Sequence, residues 1–108
     1  MLGEQEARDA IVAAGHRLYE RRILASIEGN MSIRLDGDRI LATPSGINKG
    51  FMSAGDLVVT DLDGNPEGGG SPSSEMRMHL AIYRERDDLR AIVHAHPTVA
   101  TGYAVAGR

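Results

Sequence analysis

Residues 75–96 decide the fold, and they read EMRMHLAIYRERDDLRAIVHAH. The first half carries apolar residues at helical spacing, which predicts a helix over residues 75–86. Three of these apolar residues share one stripe: Met76, Leu80 and Tyr83. The second half is an apolar run at 89–96 that ends before Pro97, which predicts a strand. A helix that leads into a strand indicates an α/β or α+β domain in which helices cover a sheet.

The rest of the chain supplies the remaining elements of this sheet and its helices. Apolar residues at helical spacing predict an amphipathic helix over residues 5–24. Residues 30–35 and 39–42 flank a glycine-containing turn and predict a β-hairpin, and the β-branched run at 57–60 predicts a third strand. Small residues at 98–106 predict a last helix. The order of elements favours a layered domain with substantial antiparallel pairing.

Residues 64–74 are rich in glycine, proline and serine, a composition typical of a flexible linker. The helix that follows at once argues against a domain boundary there. We expect Ser71 or Ser73 to cap this helix and Pro72 to occupy its first position.

Length, charge and cysteine content exclude several classes of protein. The 108 residues correspond to one domain, given about 150 residues for an average domain. The net charge of −3 gives no basic surface for nucleic acid or for anionic membranes. With no cysteine, any metal must be held by His, Asp or Glu.

The chain has no run of about 18 apolar residues, and its N-terminus is acidic rather than basic and apolar. We therefore expect a cytoplasmic protein with no membrane partner. A domain of this size buries only about 60–68% of the surface that its unfolded chain exposes, which leaves its stability marginal, so we also expect association into oligomers.

His94 and His96 lie two residues apart in the predicted strand. Alternation of side chains along a strand places both imidazoles on one face, where they can reach the same ion. A catalytic zinc site has three protein ligands, so two histidines do not complete one. Chance placement of two histidines on one face explains the same pattern.

Glu75 follows two serines at the predicted start of the second helix. A glutamate in the first turn of a helix interacts favourably with the helix dipole, and this stabilising effect explains the presence of Glu75 without any catalytic function. Alternatively, a carboxylate beside a divalent cation serves as a general base in aldolases and epimerases.

Three short polar segments could bind an anion. Ser73 and Ser74 combine hydroxyl groups with the N–H groups of a helix start. Ser45 and Gly46 could add a hydroxyl and an accessible N–H group, and Asn30 a side-chain amide. Capping and ordinary turns explain the same residues. The other histidines, at positions 16 and 79, have no partner at ligand spacing and are interpreted as surface or packing residues.

Four motifs, in this order and with these separations, resemble the class II aldolase/adducin family of the L-fuculose-phosphate aldolase type. They are Gly29-Asn30-Met31-Ser32, Thr43-Pro44-Ser45-Gly46-Ile47, Pro72-Ser73-Ser74-Glu75 and His94-Ala95-His96-Pro97. The resemblance implies a three-layer α/β/α fold with a central, largely antiparallel sheet, assembled as a tetramer with active sites between subunits. It covers residues 1–108 as the N-terminal portion of one domain, incomplete at the C-terminus.

The resemblance also assigns roles to residues. His94 and His96 would bind zinc or another divalent metal, with Glu75 as the acid/base residue and a further candidate ligand. The substrate phosphate would be bound by Asn30, Ser45, Gly46, Ser73 and Ser74. In the family, a third zinc histidine and a proton-donating tyrosine lie beyond the position that corresponds to residue 108.

The function that the resemblance implies is a zinc-dependent lyase that cleaves a small phosphorylated ketose through an enediolate. The alternatives are an epimerase, dehydratase or decarboxylase on the same metal platform, or a non-catalytic interaction module like that of adducin.

Overall fold

The computed structural model describes residues 3–21, 29–68 and 70–94. These residues form helix α1 (Glu4–Glu20), strands β1 (Asn30–Arg34), β2 (Ile40–Ala42) and β3 (Val58–Thr60), helix α2 (Met76–Glu85) and strand β4 (Ala91–His94). The predicted helix over 98–106 lies outside the described residues. Within them, no helix combines the length and the apolar character needed to span a membrane. The cytoplasmic location stays a prediction.

The four strands form one antiparallel sheet in the order β3-β2-β1-β4. The predicted hairpin is confirmed, because β1 pairs with β2 and Ser32 lies opposite Ala42. Its turn is a short 3₁₀ segment in which Gly37 has a φ of 71°, a left-handed conformation that costs glycine little. β1 also pairs with β4, so β1 lies inside the sheet and β4 at its edge.

The two helices pack against different residues of the sheet. Apolar residues of α1 form a cluster with alternate positions of the strands, including Met31, Leu41 and Val59. The apolar stripe of α2 packs instead against Ile40 and Ala42, on either side of Leu41 in the sequence. Since neighbouring residues of a strand point to opposite faces, the clusters lie on opposite faces of the sheet. The three-layer arrangement of the complete domain stays a prediction.

The expected start of α2 is wrong in two respects. α2 begins at Met76 with Glu75 as its N-cap, and no side-chain hydrogen bond caps it. Pro72 lies four residues earlier, where it forms an isolated β-bridge with Pro44. The segment before α2 is therefore held by pairing with a distant part of the chain.

Candidate active site

The two serine-containing loops meet through their backbones. The N–H group of Ser45 donates to the carbonyl oxygen of Ser71 at 3.0 Å, and that of Ser73 donates to Thr43 at 3.2 Å. These bonds flank the bridge between Pro44 and Pro72. The structure therefore brings two of the predicted phosphate-binding segments together, although about thirty residues separate them in sequence.

Several residues of these two loops are exposed to solvent, where a ligand could reach them. Ser45, Gly46 and Ser74 are exposed, and Ser73 is half-buried. Gly46 has a φ of 74° and an open space where a side chain would lie, so glycine is required there by the backbone conformation. Ser73 and Ser74 also line a cavity of about 260 Å³ together with Asp63, Gly64, Pro72, Met76, Arg77 and Leu80.

Glu75 is exposed and lies directly before α2. The Ser73 hydroxyl accepts a hydrogen bond from the Glu75 N–H group at 3.3 Å, which ties the two residues together. His79 follows Glu75 by four residues, and residues spaced in this way lie along the same side of a helix.

His94 ends β4 directly opposite Asn30 of β1. The Asn30 amide donates from Nδ2 to Nδ1 of His94 at 3.4 Å. His94 is half-buried, whereas Asn30 is buried. His96 lies outside the described residues, so the predicted common face of the two histidines stays a prediction.

His79 is the residue whose importance the sequence did not reveal. It is only 1 % exposed, and both ring nitrogens have partners within the domain. Nδ1 lies 2.6 Å from the Ser32 hydroxyl, and Nε2 contacts Oδ1 of Asn30. The interpretation of His79 as a surface residue is wrong, because the side chain is buried. The alternative interpretation as a packing residue is incomplete, because the hydrogen bonds of His79 also link α2 to β1.

A sequence signal for His79 does exist. Asn30 and Ser32 alternate along β1 and so point to one face. His79 is three residues from Met76 and four from Tyr83 of the apolar stripe, so it belongs to the buried side of α2.

The pKa of His79 is lowered to about 4, chiefly by burial and also by the nearby His94, while the Glu75 carboxylate acts in the opposite direction. His79 is therefore neutral at pH 7. His94 lies opposite Asn30 in the sheet and Asn30 contacts His79, so His94 lies on the face of the sheet that α2 covers.

The donor types around His94 fit a divalent cation. An imidazole nitrogen and a carboxylate oxygen are ligands that zinc prefers, and His94 and Glu75 carry one of each. In the described ranges, no three His, Asp or Glu side chains form a metal-binding group.

Comparisons with known proteins identify relatives of this chain. The chain is 42% identical over 94 residues to 3-oxo-tetronate 4-phosphate decarboxylase of Haemophilus influenzae, covering 87% of this chain and 45% of that protein. It is 41% identical over 87 residues to L-fuculose phosphate aldolase of Methanococcus maripaludis, covering 81% of this chain and 47% of the aldolase. The chain spans about half the length of the curated relatives it matches.

Among solved structures, the fold is similar to that of YgbL from Klebsiella pneumoniae, described as a candidate aldolase, epimerase or decarboxylase. The TM-score is 0.90 at 34% identity, with 96% of this chain and 50% of that chain covered. The profile of the class II aldolase and adducin N-terminal domain matches residues 9–108. The chain therefore belongs to the class II aldolase and adducin N-terminal domain family.

Proposed function

We propose that this chain provides the phosphate-binding and proton-transfer part of a zinc-dependent lyase that cleaves a small phosphorylated ketose. The observation that carries the proposal is the backbone pairing of residues 43–45 with residues 71–73. This pairing brings exposed hydroxyl groups next to Glu75, on the side of the sheet where His94 lies.

The loop groups have the chemistry that a phosphate requires. Ser45, Ser73 and Ser74 carry hydroxyl donors, and Gly46 exposes backbone that a ligand can approach. Asn30 is the least accessible member of the predicted set, because it is 4 % exposed and its amide contacts His79 and His94. A phosphate contact from Asn30 would have to come from groups not engaged in those bonds.

Glu75 is the residue we assign to proton transfer. Its carboxylate is exposed, so a bound substrate can reach it, and its backbone is fixed by the first turn of α2. We propose that it moves the proton at the carbon of the enediolate. His94 and His96 would hold Zn²⁺ or another divalent metal, and a metal bound there would polarise the carbonyl group of the substrate.

The reaction type is the open part of this proposal. The relatives include both an aldolase and a decarboxylase, and both reactions need a stabilised negative charge next to a carbonyl group. An epimerase or dehydratase would use the same groups. An adducin-like interaction module is the non-catalytic alternative, and it would have no need to keep Glu75, His94 and His96 together in its sequence.

The phosphate assignment is tested by calorimetry on the chain with Zn²⁺ in excess, using a ketose 1-phosphate and the same ketose without phosphate. We expect the phosphorylated sugar to bind at least about tenfold more tightly, a difference of about 1.4 kcal/mol. Replacement of both Ser73→Ala and Ser74→Ala should remove that difference.

Ser53→Ala is the matched control, because the Ser53 hydroxyl caps a 3₁₀ turn through Asp56. It should lower the free energy of unfolding by about 1 kcal/mol and leave sugar binding unchanged. Equal binding of the two sugars by the wild-type chain would contradict the phosphate site.

The role of Glu75 is tested by Glu75→Gln in assays for aldehyde release, decarboxylation and dehydration on phosphorylated substrates. We expect turnover to fall by two to four orders of magnitude, the usual contribution of about 10²–10⁴-fold from a general acid or base. Substrate binding should stay within about twofold. Unchanged turnover in the variant would exclude Glu75 as the proton carrier.

The homotetramer is also part of the proposal. Phe51 and Val93 are 69 % and 60 % exposed, and such apolar side chains favour contact with another subunit. Sedimentation equilibrium gives the mass of the assembly directly, and a monomer at micromolar concentration would exclude the tetramer for this chain.

A further inference from the structure

The cavity of about 260 Å³ is lined by residues from the first turns of α2 and from the turn that follows β3. Its apolar lining consists of Pro72, Met76 and Leu80 together with Gly64. Pockets for drug-sized molecules have volumes of about 300–1,000 Å³. This smaller cavity therefore suits one small group of a substrate, such as a phosphate, rather than a complete sugar phosphate.

The polar lining of the cavity combines two serines with two charged side chains. It consists of Ser73, Ser74, Asp63 and Arg77. The Ser73 hydroxyl accepts a hydrogen bond from the Glu75 N–H group, and a hydroxyl that accepts a bond still has its own O–H donor. The cavity therefore brings one cationic side chain to the two serines that we assign to phosphate binding.

The negative charge in the lining of this cavity already has a partner. Oδ1 of Asp63 lies 2.8 Å from Nη2 of Arg84. Arg77, by contrast, forms no ion pair and no side-chain hydrogen bond with any residue that the structure describes. Glu75 precedes Arg77 by two residues, and side chains at this spacing do not face each other on a helix. Arg77 thus brings a positive charge that no carboxylate in the described lining offsets.

Helix stability does not explain the charge of Arg77. Arg77 is the second residue of α2, and it is exposed. The N-terminus of a helix carries a partial positive charge, so a cation in the first turn opposes the helix dipole. An anion held between Arg77 and the two serines would remove this conflict, because it interacts favourably with the guanidinium group.

The proposed phosphate site has no positive charge of its own. Its residues are all uncharged: Asn30, Ser45, Gly46, Ser73 and Ser74. A phosphate group carries about 1.5 to 2 negative charges at neutral pH. The planar donors of an arginine match the oxygen atoms of a phosphate in pairs, which makes arginine well suited to bind this group.

The backbone sets Arg77 next to both serines. Arg77 follows Ser73 by four residues and Ser74 by three. The Met76 N–H group donates to the carbonyl oxygen of Ser73 at 3.0 Å, so the chain already turns at Ser73. Residues three and four apart in a helical turn are neighbours on its surface.

We propose that Arg77 binds the same phosphate group as Ser73 and Ser74 and makes this site select a phosphorylated sugar over an uncharged one. The inference rests on the proposed function, because it takes the two serines as part of the phosphate site. Arg77 adds the positive charge that the other residues of that site lack.

Calorimetry with inorganic phosphate on the metal-free chain tests this contact directly. We expect Arg77→Met to bind phosphate at least about tenfold more weakly than the wild type, since hydrogen bonds between charged groups are among the strongest in proteins. Arg77→Lys keeps the charge but loses the planar donors, so its affinity should lie between the two. Equal affinity of Arg77→Met and the wild type, or no saturable binding of phosphate by the wild type, would overturn the proposal.

Arg86→Met is the matched control, because it also removes one positive charge. Arg86 is the C-cap of α2 and pairs with Asp88. At 1.5 Å per residue it lies about 14 Å along the helix from Arg77, beyond the screening length of about 8 Å at physiological ionic strength. Its phosphate affinity should stay within about twofold of the wild type. An equal loss in both variants would overturn the proposal, because net charge alone would then explain the effect.

The shared phosphate is tested by combining Arg77→Met with Ser73→Ala and Ser74→Ala. If all three residues bind one phosphate, loss of Arg77 should lower the affinity by a smaller factor in the alanine background than in the wild type, because contacts to one group are coupled. The same factor in both backgrounds would overturn the shared site.

Thermal unfolding separates binding from a structural role of Arg77. Without phosphate, Arg77→Met should unfold at the temperature of the wild type or above it, because the variant removes a cation from the helix N-terminus. With phosphate, the wild type should gain more than the variant, because the gain follows the affinity for the ligand. An equal gain in both proteins would overturn the proposal.

Sugar binding distinguishes this inference from the proposed function. With Zn²⁺ in excess, Arg77→Met should bind a ketose 1-phosphate at least about tenfold more weakly than the wild type and the uncharged ketose equally well. Unchanged binding of the ketose 1-phosphate by the variant would overturn the role of Arg77 and leave the proposed function intact. If the wild type binds both sugars equally, the proposed function fails, while binding of inorganic phosphate that depends on Arg77 still supports the inference.

Discussion

The burial of His79 predicts that the metal-free chain loses stability as pH falls below about 6.5. The folded pKa of His79 is about 4, against 6.5 for an ordinary histidine. Between these values the unfolded chain binds a proton that the folded chain does not, so the free energy of unfolding falls as pH falls. Above pH 6.5 both states are neutral and the effect vanishes.

The magnitude follows from the two pKa values. Relative to pH 8, the loss from His79 alone is about 2 kcal/mol at pH 5 and about 3 kcal/mol at pH 4. For a marginal domain with roughly 5–15 kcal/mol of stability, this is a large fraction.

The assay is urea unfolding followed by circular dichroism, at pH 8 and pH 5 with a chelator present, on the wild type and His79→Gln. The glutamine is destabilising at pH 8 because it fits the two contacts of His79 less well, but it cannot titrate. The difference in unfolding free energy between the two proteins should therefore shrink by about 2 kcal/mol at pH 5.

Comparison with the variant removes the contributions of other groups. The carboxylates of Glu4, Asp61, Glu67 and Asp88 have pKa values lowered by hydrogen bonds to arginine, asparagine or backbone groups. Protonation of these carboxylates also lowers the free energy of unfolding as the pH falls. The same carboxylates are present in both proteins, so their contribution cancels in the comparison. Parallel pH profiles of the wild type and His79→Gln would refute the assignment of a strongly lowered pKa to His79.

Three further predictions concern residues outside the site. A Cβ atom on Gly15 would lie 2.4 Å from the Lys49 carbonyl oxygen, so Gly15→Ala should lower the free energy of unfolding by about 1–2 kcal/mol in urea despite its better helix propensity. Gly55→Ala, which meets nothing within 4 Å, should be neutral or stabilising. The buried guanidinium of Arg34 donates to two carbonyl groups at and after the end of α2, so Arg34→Met should cost about 2 kcal/mol, visible as a lower thermal midpoint. Arg39→Gln breaks two exposed ion pairs and should cost less than about 1 kcal/mol, and less still in high salt.

Local periodicity was enough to predict the elements around the site. The alternation in β1, the turn at Gly37 and the apolar stripe of α2 all depend on neighbours in sequence, and each was confirmed within a few residues. The motifs were also enough to predict the family. The helices and strands are encoded by neighbouring residues, whereas the family resemblance depends on the order and separation of four motifs.

What could not be predicted depends on contacts between distant segments. Pro72 looked like the first residue of a helix, because nothing nearby indicates that Pro44 lies beside it. The Ser73 and Ser74 hydroxyls looked like caps for the same reason. The hydrogen bonding of His79 could not be predicted because its partner Asn30 lies 49 residues away. Helical spacing can predict that a histidine lies on the buried side of a helix, but it does not identify the residues that the histidine contacts there.

The pairing of His94 with Asn30 also limits how this part of the chain can change in length. β4 is an edge strand, so β1 alone fixes its register in the described sheet. Deletion or insertion of one residue at 86–90, between α2 and β4, would either move that strand by one position or strain the connection. A shift by one position would turn His94 to the opposite face of the sheet. Natural variants of this domain should therefore tolerate substitution at 86–90 far better than any change in the number of residues there.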